Sequence, residues 1–318
     1  MINVKHEVEQ ATIRLTPHVR HTPLERSFVL SDAGNCTTFL KLENLQVTGS
    51  FKVRGAFNTL LTLAPSEADQ GVITASTGNH GLAVAYALQR LGLQGTIYLP
   101  HNASSQKIMM LQRYGVPLRL YGRDAEETEA YARAESKRRG QVYISPYNDP
   151  HIIGGQGTIA AEVLQEIPAI DYIFVAVGGG GLIAGIAGYL KAMSPQVTVV
   201  GCLPRHSPVM YESIKAGRII RIPTQPTVSD GTAGGIELGA LTLALCQRYV
   251  DEWVLVDERE IHQAMRLIFE HHRLVVEGAA GVAIAAFLQS KAVLEGKQVV
   301  VVVCGGNIDV ETFKGLVF

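Results

Sequence analysis

Residues 172–193 read YIFVAVGGGGLIAGIAGYLKAM. The run 172–177 is apolar at every position, so both of its faces must be covered. That is the mark of a strand in a parallel sheet with helices on each side. Four glycines, Gly178 to Gly181, follow, and then a segment that reads as a helix. The same alternation recurs outward in both directions. GVITAS (71–76) precedes HGLAVAYALQRLG, GTIYLP (95–100) precedes SQKIMMLQRYG, and PLRLYG (117–122) precedes DAEETEAYARAESKRRG. VYISP (142–146) closes that series, and TVVGCLP (198–204), EWVLVDE, a helix from Arg259 to about Arg273, and VVVVVCGG (299–306) complete the pattern. Short apolar strands alternating with helices predict an α/β fold on parallel sheets. A compact four-strand series near 66–147 is flanked by the rest, and no fixed-period repeat or low-complexity segment interrupts it.

The chain has 318 residues, is 47% hydrophobic and carries a net charge of −1 with acids and bases mixed along it. The balance gives no electrostatic case for nucleic acid or an anionic membrane as partner. No apolar run has the length of a membrane span, and MINVKHEVEQ lacks a signal-peptide pattern. The four cysteines, Cys36, Cys202, Cys246 and Cys304, form no C-x-x-C pair. A reduced, cytoplasmic protein without structural zinc is expected. His271 and His272 are adjacent on a helix, face apart, and lack metal-ligand spacing.

The glycine clusters hold the chemical information. Gly178 to Gly181 let the backbone approach a ligand closely and place N–H groups at a helix start, a setting for a phosphate. Gly179, Gly181 and Ala184 also fit the dinucleotide pattern G-x-G-x-x-A. That pattern requires an acid at the end of the next strand, and Val200-Gly201-Cys202-Leu203-Pro204 has none. A second loop, Ser76-Thr77-Gly78-Asn79-His80-Gly81, puts hydroxyls, an amide and N–H donors at another helix start. It suits a small carboxylate, although capping alone also favours Ser, Thr and Asn. A third loop, Cys304-Gly305-Gly306-Asn307, ends the most apolar strand. Ligands in such sheets bind outside the carboxyl ends of strands, so the three loops are expected to share one crevice.

One lysine stands apart. In Thr48-Gly49-Ser50-Phe51-Lys52-Val53-Arg54-Gly55, Ser50 is a plausible N-cap for a helix from Phe51 to about Leu63. Lys52 then sits in the first turn. The positive helix end and burial both favour its neutral amine, which is the nucleophile. The ordinary alternative is a surface lysine over the helix start.

S-F-K-x-R-G-A, S-T-G-N-H-G, G-G-G-G-L and C-G-G-N, in this order and spacing, resemble the fold type II pyridoxal-phosphate (PLP) enzymes, tryptophan synthase β-like. Within them the match is to the threonine/serine dehydratase and serine racemase branch. His21-Thr22-Pro23-Leu24 and Lys41-Leu42-Glu43-Asn44 also resemble segments of that branch. The resemblance covers nearly the whole chain. It implies two three-layer domains, 1–65 with 148–318 and 66–147, with the active site between them, no C-terminal regulatory domain, and a homodimer acting on a small amino acid. Lys52 would form the Schiff base with PLP and remove the substrate α-proton. Phe51 would pack on one face of the ring and Gly231 approach the other. Asn79 would bond the ring hydroxyl, and Gly178, Gly179, Gly180 and Gly181 would hold the phosphate. Ser76, Thr77, Asn79 and His80 would bind the substrate carboxylate.

Cys304 would lie beside the pyridine nitrogen, and a thiol there leaves that nitrogen largely unprotonated. The implied reaction is β-elimination of water from a 3-hydroxy amino acid such as threonine or serine, giving a 2-keto acid and ammonia. Three departures matter. Leu203-Pro204 stands where relatives often have Glu-Pro, and leucine cannot ligate a divalent cation, so no metal residues are expected. Glu277 lies in Val276-Glu277-Gly278-Ala279-Ala280-Gly281, where many relatives also have Glu-Pro, and no change of chemistry is inferred from it. Thr77 stands where racemases carry a proton-donating serine, and it keeps a hydroxyl on a stiffer side chain. Dehydration is favoured and racemisation stays open. The glycine-rich Ser229 to Ile236 segment is similar to dehydratases acting on phenylserine, hydroxyaspartate or hydroxyectoine-derived amino acids, so the substrate stays open too.

Overall fold

The computed structural model describes residues 2–317 and arranges ten strands in two sheets. β1 (Leu24–Arg26), β2 (Thr37–Leu42), β7 (Tyr172–Ala176), β8 (Thr198–Pro204), β9 (Glu252–Val256) and β10 (Gln298–Val303) form the larger sheet, in the order β1-β2-β10-β7-β8-β9. All its neighbours pair in parallel except β1, which runs antiparallel to β2 at the edge. β3 (Val72–Ala75), β4 (Gly95–Leu99), β5 (Leu118–Leu120) and β6 (Val142–Tyr143) form a parallel sheet in the order β5-β4-β3-β6.

Sequence explains the centre. Val299 to Val303 are all fully buried, as are Ile173, Phe174 and Val175 in the neighbouring strand. β10 pairs with β7 through Val299 opposite Tyr172 and Val301 opposite Phe174. β-branched residues fit the pleat, and full burial on both faces removes any need for polar alternation. One covering helix, Gly278–Ser290, is buried at every position from Gly278 to Phe287. It is apolar all round because it is enclosed all round.

Helix Pro150–Glu166 lies between helices Lys52–Leu60 and Gly181–Met193, and glycine makes that possible. A Cβ on Gly155 would sit 2.7 Å from the Gly55 Cα, and one on Gly157 would sit 2.8 Å from the Gly185 carbonyl oxygen. The backbones therefore approach more closely than any side chain would permit. Its cap is Asp149, whose carboxylate accepts from the N–H groups of His151 and Ile152.

Four buried charged side chains tie this helix to the lysine segment. Arg54 donates to both oxygens of Glu43 at 2.8 and 2.7 Å and to both oxygens of Glu162 at 2.5 and 2.8 Å. Lys41 Nζ donates to Glu162 at 2.5 Å and to the Thr22 carbonyl at 2.6 Å, and the Thr22 hydroxyl donates to Glu43 at 2.5 Å. Burying charge is tolerable only when every partner is present, and here each is. Arg54 stands two residues from Lys52, so this cluster fixes the start of the lysine helix.

Candidate active site

Loops that follow the carboxyl ends of β2, β3, β7 and β10 meet in one place. The first meeting is between the lysine loop and the end of β10. Phe51 N–H donates to the Cys304 carbonyl at 3.0 Å, Gly306 N–H donates to the Gly49 carbonyl at 2.9 Å, and Ser50 forms an antiparallel bridge with Gly305. This pairing overrides the expected cap. Ser50 does not cap the helix, which runs Lys52–Leu60 with Phe51 at the cap position and no side-chain bond there. The Ser50 hydroxyl is buried and unpartnered. The bridge to Gly305 holds the backbone of Ser50 in an extended pairing, and the helix stops three residues short of the expected Leu63.

Lys52 nonetheless lies in the first helical turn, enclosed, with Nζ donating to the Pro146 carbonyl at 2.6 Å. Burial pushes its pKa down to about 8, against the opposing pull of Cys304, Glu277 and Glu129. Nζ lies 5.2 Å from the centroid of the half-buried Phe51 ring. Cys304 is buried and burial pushes its thiol well up, so it remains a neutral thiol.

The loop Gly178–Gly181 opens helix Gly181–Met193 with Gly180 at φ +87°, and no donor in Gly178, Gly179 or Gly181 finds an acceptor among the described residues. Its walls are tight. A Cβ on Gly178 would lie 3.0 Å from the Thr232 Cα, and one on Gly179 would lie 2.5 Å from the Tyr147 ring. Thr242 packs beside Gly180, and its buried hydroxyl has no partner. A cradle of free N–H groups with an idle hydroxyl beside it can receive an anion.

The Ser76–Gly78 loop leads into helix Asn79–Leu91. Ser76 Oγ accepts from Gly78 N–H at 3.2 Å, and the half-buried Thr77 makes no side-chain hydrogen bond. Asn79 faces the other loops: its Nδ2 donates to Glu277 at 2.9 and 3.0 Å, and its Oδ1 accepts from Asn307 Nδ2 at 2.7 Å. The His80 side chain points the other way. Its Nε2 meets the Ile144 carbonyl at 3.0 Å and the Thr74 hydroxyl at 3.1 Å, and burial pushes its pKa down to about 3. Its Nδ1 is buried without a partner, and its backbone N–H lies at this helix start.

Sequence reasoning singled out no role for Glu277, Asn307, Tyr147 or Thr242. Glu277 is buried, accepts from Asn79 and from Asn307 N–H at 3.1 Å, and burial pushes its pKa up to about 7. Gly231 lies over it, where a Cβ would be 3.5 Å from Glu277 Oε1 and from the Ala279 methyl. The spacing between Asn79 and Glu277 carries no signal; only folding joins them. Among the described residues no group of His, Cys, Asp or Glu could hold a metal ion, and no helix is long and apolar enough to cross a membrane.

Comparison with known proteins agrees with this geometry. A family model described as pyridoxal-phosphate dependent enzyme matches residues 15–305. The L-threonine ammonia-lyase of Thermotoga maritima is 40% identical over 98% of this chain and 78% of its own. The structure of maize serine racemase superimposes with a TM-score of 0.92 at 32% identity, covering 98% of this chain and 95% of that one. Threonine deaminase isoform 2 of Solanum lycopersicum follows with a TM-score of 0.91 at 33% identity, covering 98% and 92%. With a match running from Leu15 to Gly305 and the anion cradle and half-buried lysine in place, the chain belongs to the pyridoxal-phosphate dependent enzymes of fold type II.

Proposed function

We propose that this enzyme eliminates water from a 3-hydroxy amino acid, with L-threonine or L-serine as the reference substrates, and releases a 2-keto acid and ammonia. The observation that carries the reading is Lys52: an enclosed amine with its charge suppressed, at the meeting point of an anion cradle, a helix start and a neutral thiol. The residues fit the cofactor. Gly178 to Gly181 and the idle Thr242 hydroxyl would hold its phosphate, Lys52 its aldehyde carbon, Cys304 its ring nitrogen, and Asn79 its hydroxyl. When bound, pyridoxal phosphate supplies an electron-withdrawing ring that acidifies the hydrogen on the substrate α-carbon.

The chain's own groups do the rest. Free N–H groups at the start of helix Asn79–Leu91, with Ser76 and Thr77, orient the substrate carboxylate. Lys52 Nζ, largely neutral above pH 8, takes the α-proton, and the β-hydroxyl takes up one proton as it leaves, so that α-hydrogen and β-hydroxyl depart together as one water. The released enamine adds water and gives the keto acid and ammonia. Cys304, held as a thiol by burial, donates no full positive charge to the ring, which favours prompt loss of the leaving group over a long-lived carbanion.

A second reading is racemisation. It rests on the unengaged Thr77 hydroxyl, a proton donor available at the carboxylate loop. A keto acid assay over a panel of 3-hydroxy amino acids, with chiral analysis of the residual substrate, separates the two. Keto acid from L-threonine or L-serine with no enantiomer accumulating supports the dehydratase; an enantiomer without keto acid overturns it. The proposal extends to a cytoplasmic homodimer with domains at 1–65 with 148–318 and 66–147. The four free cysteines accord with a reducing compartment, and light scattering in solution tests the dimer.

A further inference from the structure

The loop after β10 closes on Asn307, a residue that neither the cofactor nor the elimination has yet used. Its side chain is the junction of a chain of amides. Asn307 Nδ2 donates to the Thr48 carbonyl at 2.8 Å and to Asn79 Oδ1 at 2.7 Å. Asn307 N–H donates to Glu277 Oε2 at 3.1 Å, and Asn79 Nδ2 lies 2.9 and 3.0 Å from the two Glu277 oxygens. Glu277 is held in turn. Its own N–H donates to the Gly305 carbonyl at 3.1 Å, and its carboxyl lies against Gly305, where a Cβ would come within 2.7 Å of it. Gly49 makes room at the other end: its φ is +75°, and a Cβ there would lie 2.5 Å from Asn307 Oδ1.

A backbone carbonyl can only accept, so Thr48 settles which end of the Asn307 amide is the nitrogen. The second N–H of that nitrogen meets Asn79, whose facing atom must then be its oxygen. The Asn79 nitrogen is left turned to the acceptor oxygens of Glu277. Two oxygens of one carboxylate lie too close together for the diverging N–H bonds of one amide to reach one each. One Asn79 N–H therefore serves Glu277, and the other is unspent. We propose that Asn307 is a positioning residue: by fixing the Asn79 amide, it makes Asn79 meet the ring hydroxyl of the cofactor as a donor. This rests on the cofactor reading, in which Asn79 faces that hydroxyl. A donor there favours the charged form of the ring oxygen, as hydrogen bonding to a charged form does in general. The charged form absorbs visible light, and the neutral hydroxyl shifts absorption to the near ultraviolet. Without Asn307 the Asn79 amide is free to turn over and offer its oxygen instead.

The test reads the ratio of visible to near-ultraviolet absorbance of the holoenzyme, freed of unbound pyridoxal phosphate, and needs no turnover. Asn79→Ala is expected to lower the ratio about tenfold, the scale of one hydrogen bond to a charged oxygen. Asn307→Ala is expected to lower it about threefold, because the released amide divides its time between two orientations. With Asn79→Ala already in place, Asn307→Ala is expected to change it by less than about 1.5-fold, since an effect that acts through Asn79 cannot outlast it. A fall of the same size in both backgrounds shows a general loosening of the site and overturns the proposal, as does an unchanged ratio in Asn307→Ala. Asn307→Ser is read in the same way if the alanine variant does not fold. An unchanged ratio in Asn79→Ala overturns the proposal and leaves the cofactor and the elimination standing. An unaltered enzyme without a visible band overturns the cofactor reading and the proposal together. Keto acid release from L-threonine and L-serine is measured alongside: its absence in the unaltered enzyme overturns the dehydratase, while the absorbance ratio still decides the part played by Asn307.

Discussion

At the scale of the residue, Lys52 and Glu277 show opposite consequences of one cause. Burial disfavours charge, so it lowers the amine to about 8 and raises the carboxyl to about 7. For Lys52 the neutral amine dominates above pH 8. The rate at which cofactor-free protein takes up pyridoxal phosphate, followed by absorbance, is expected to rise with pH and level off with a midpoint near 8. A midpoint at the ordinary lysine value of 10.5 would contradict the burial argument. The raised folded pKa of Glu277 makes its contribution to stability full below the ordinary 4.5 and lost as pH rises through about 7. Glu277→Gln cannot ionise. The melting temperature of that variant, relative to the parent, is expected to be more favourable at pH 8 than at pH 5, and calorimetry showing a pH-independent difference would refute this. Lys52 was legible because a lysine in a glycine–serine–aromatic setting is unusual. Glu277 was not, because its partner Asn79 lies 198 residues away in sequence.

At the scale of the element, the strands that could be read were those whose burial leaves a local trace. β7 and β10 are apolar at every buried position, and each is followed by glycine. β2, TTFLKL, was not read as a strand, since Lys41 interrupts its apolar run. That lysine is buried because Glu162, in a distant helix, meets it. Helix Pro150–Glu166 was missed as well, because its glycines at 154, 155 and 157 argue against a helix locally and for close backbone contact tertiarily. Ser50 misled for the same kind of reason: a favoured cap residue was captured by pairing with Gly305. The buried Arg54 cluster belongs to this scale because it joins β2, the lysine helix and helix Pro150–Glu166. Arg54→Ala strands two buried carboxylates, and denaturant titration is expected to show a loss of about 3–5 kcal/mol. A loss under about 1 kcal/mol would mean that the charges find solvent and that the cluster does not fix Lys52.

At the scale of the whole molecule, polar ties join elements of the two sheets at the site, and exposed ion pairs such as Arg221 with Glu126 join them elsewhere. Asn79 in the helix after β3 reaches Glu277 and Asn307 beside the larger sheet, and Arg133 reaches Glu237 in the glycine-rich segment. Candidate site residues therefore come from elements of both sheets, and their geometry depends on how the sheets sit together. The parallel arrangement was predictable from the apolar strands, while the ties across the crevice depend on residues far apart in sequence. All of these ties surround one covalent expectation. The holoenzyme is to be reduced with borohydride, digested, and its peptides weighed by mass spectrometry. The account predicts loss of the visible band and a single pyridoxyl-phosphate adduct on the peptide at Lys52, absent from Lys52→Ala. An adduct on another lysine, or a protein that binds no cofactor, would contradict it.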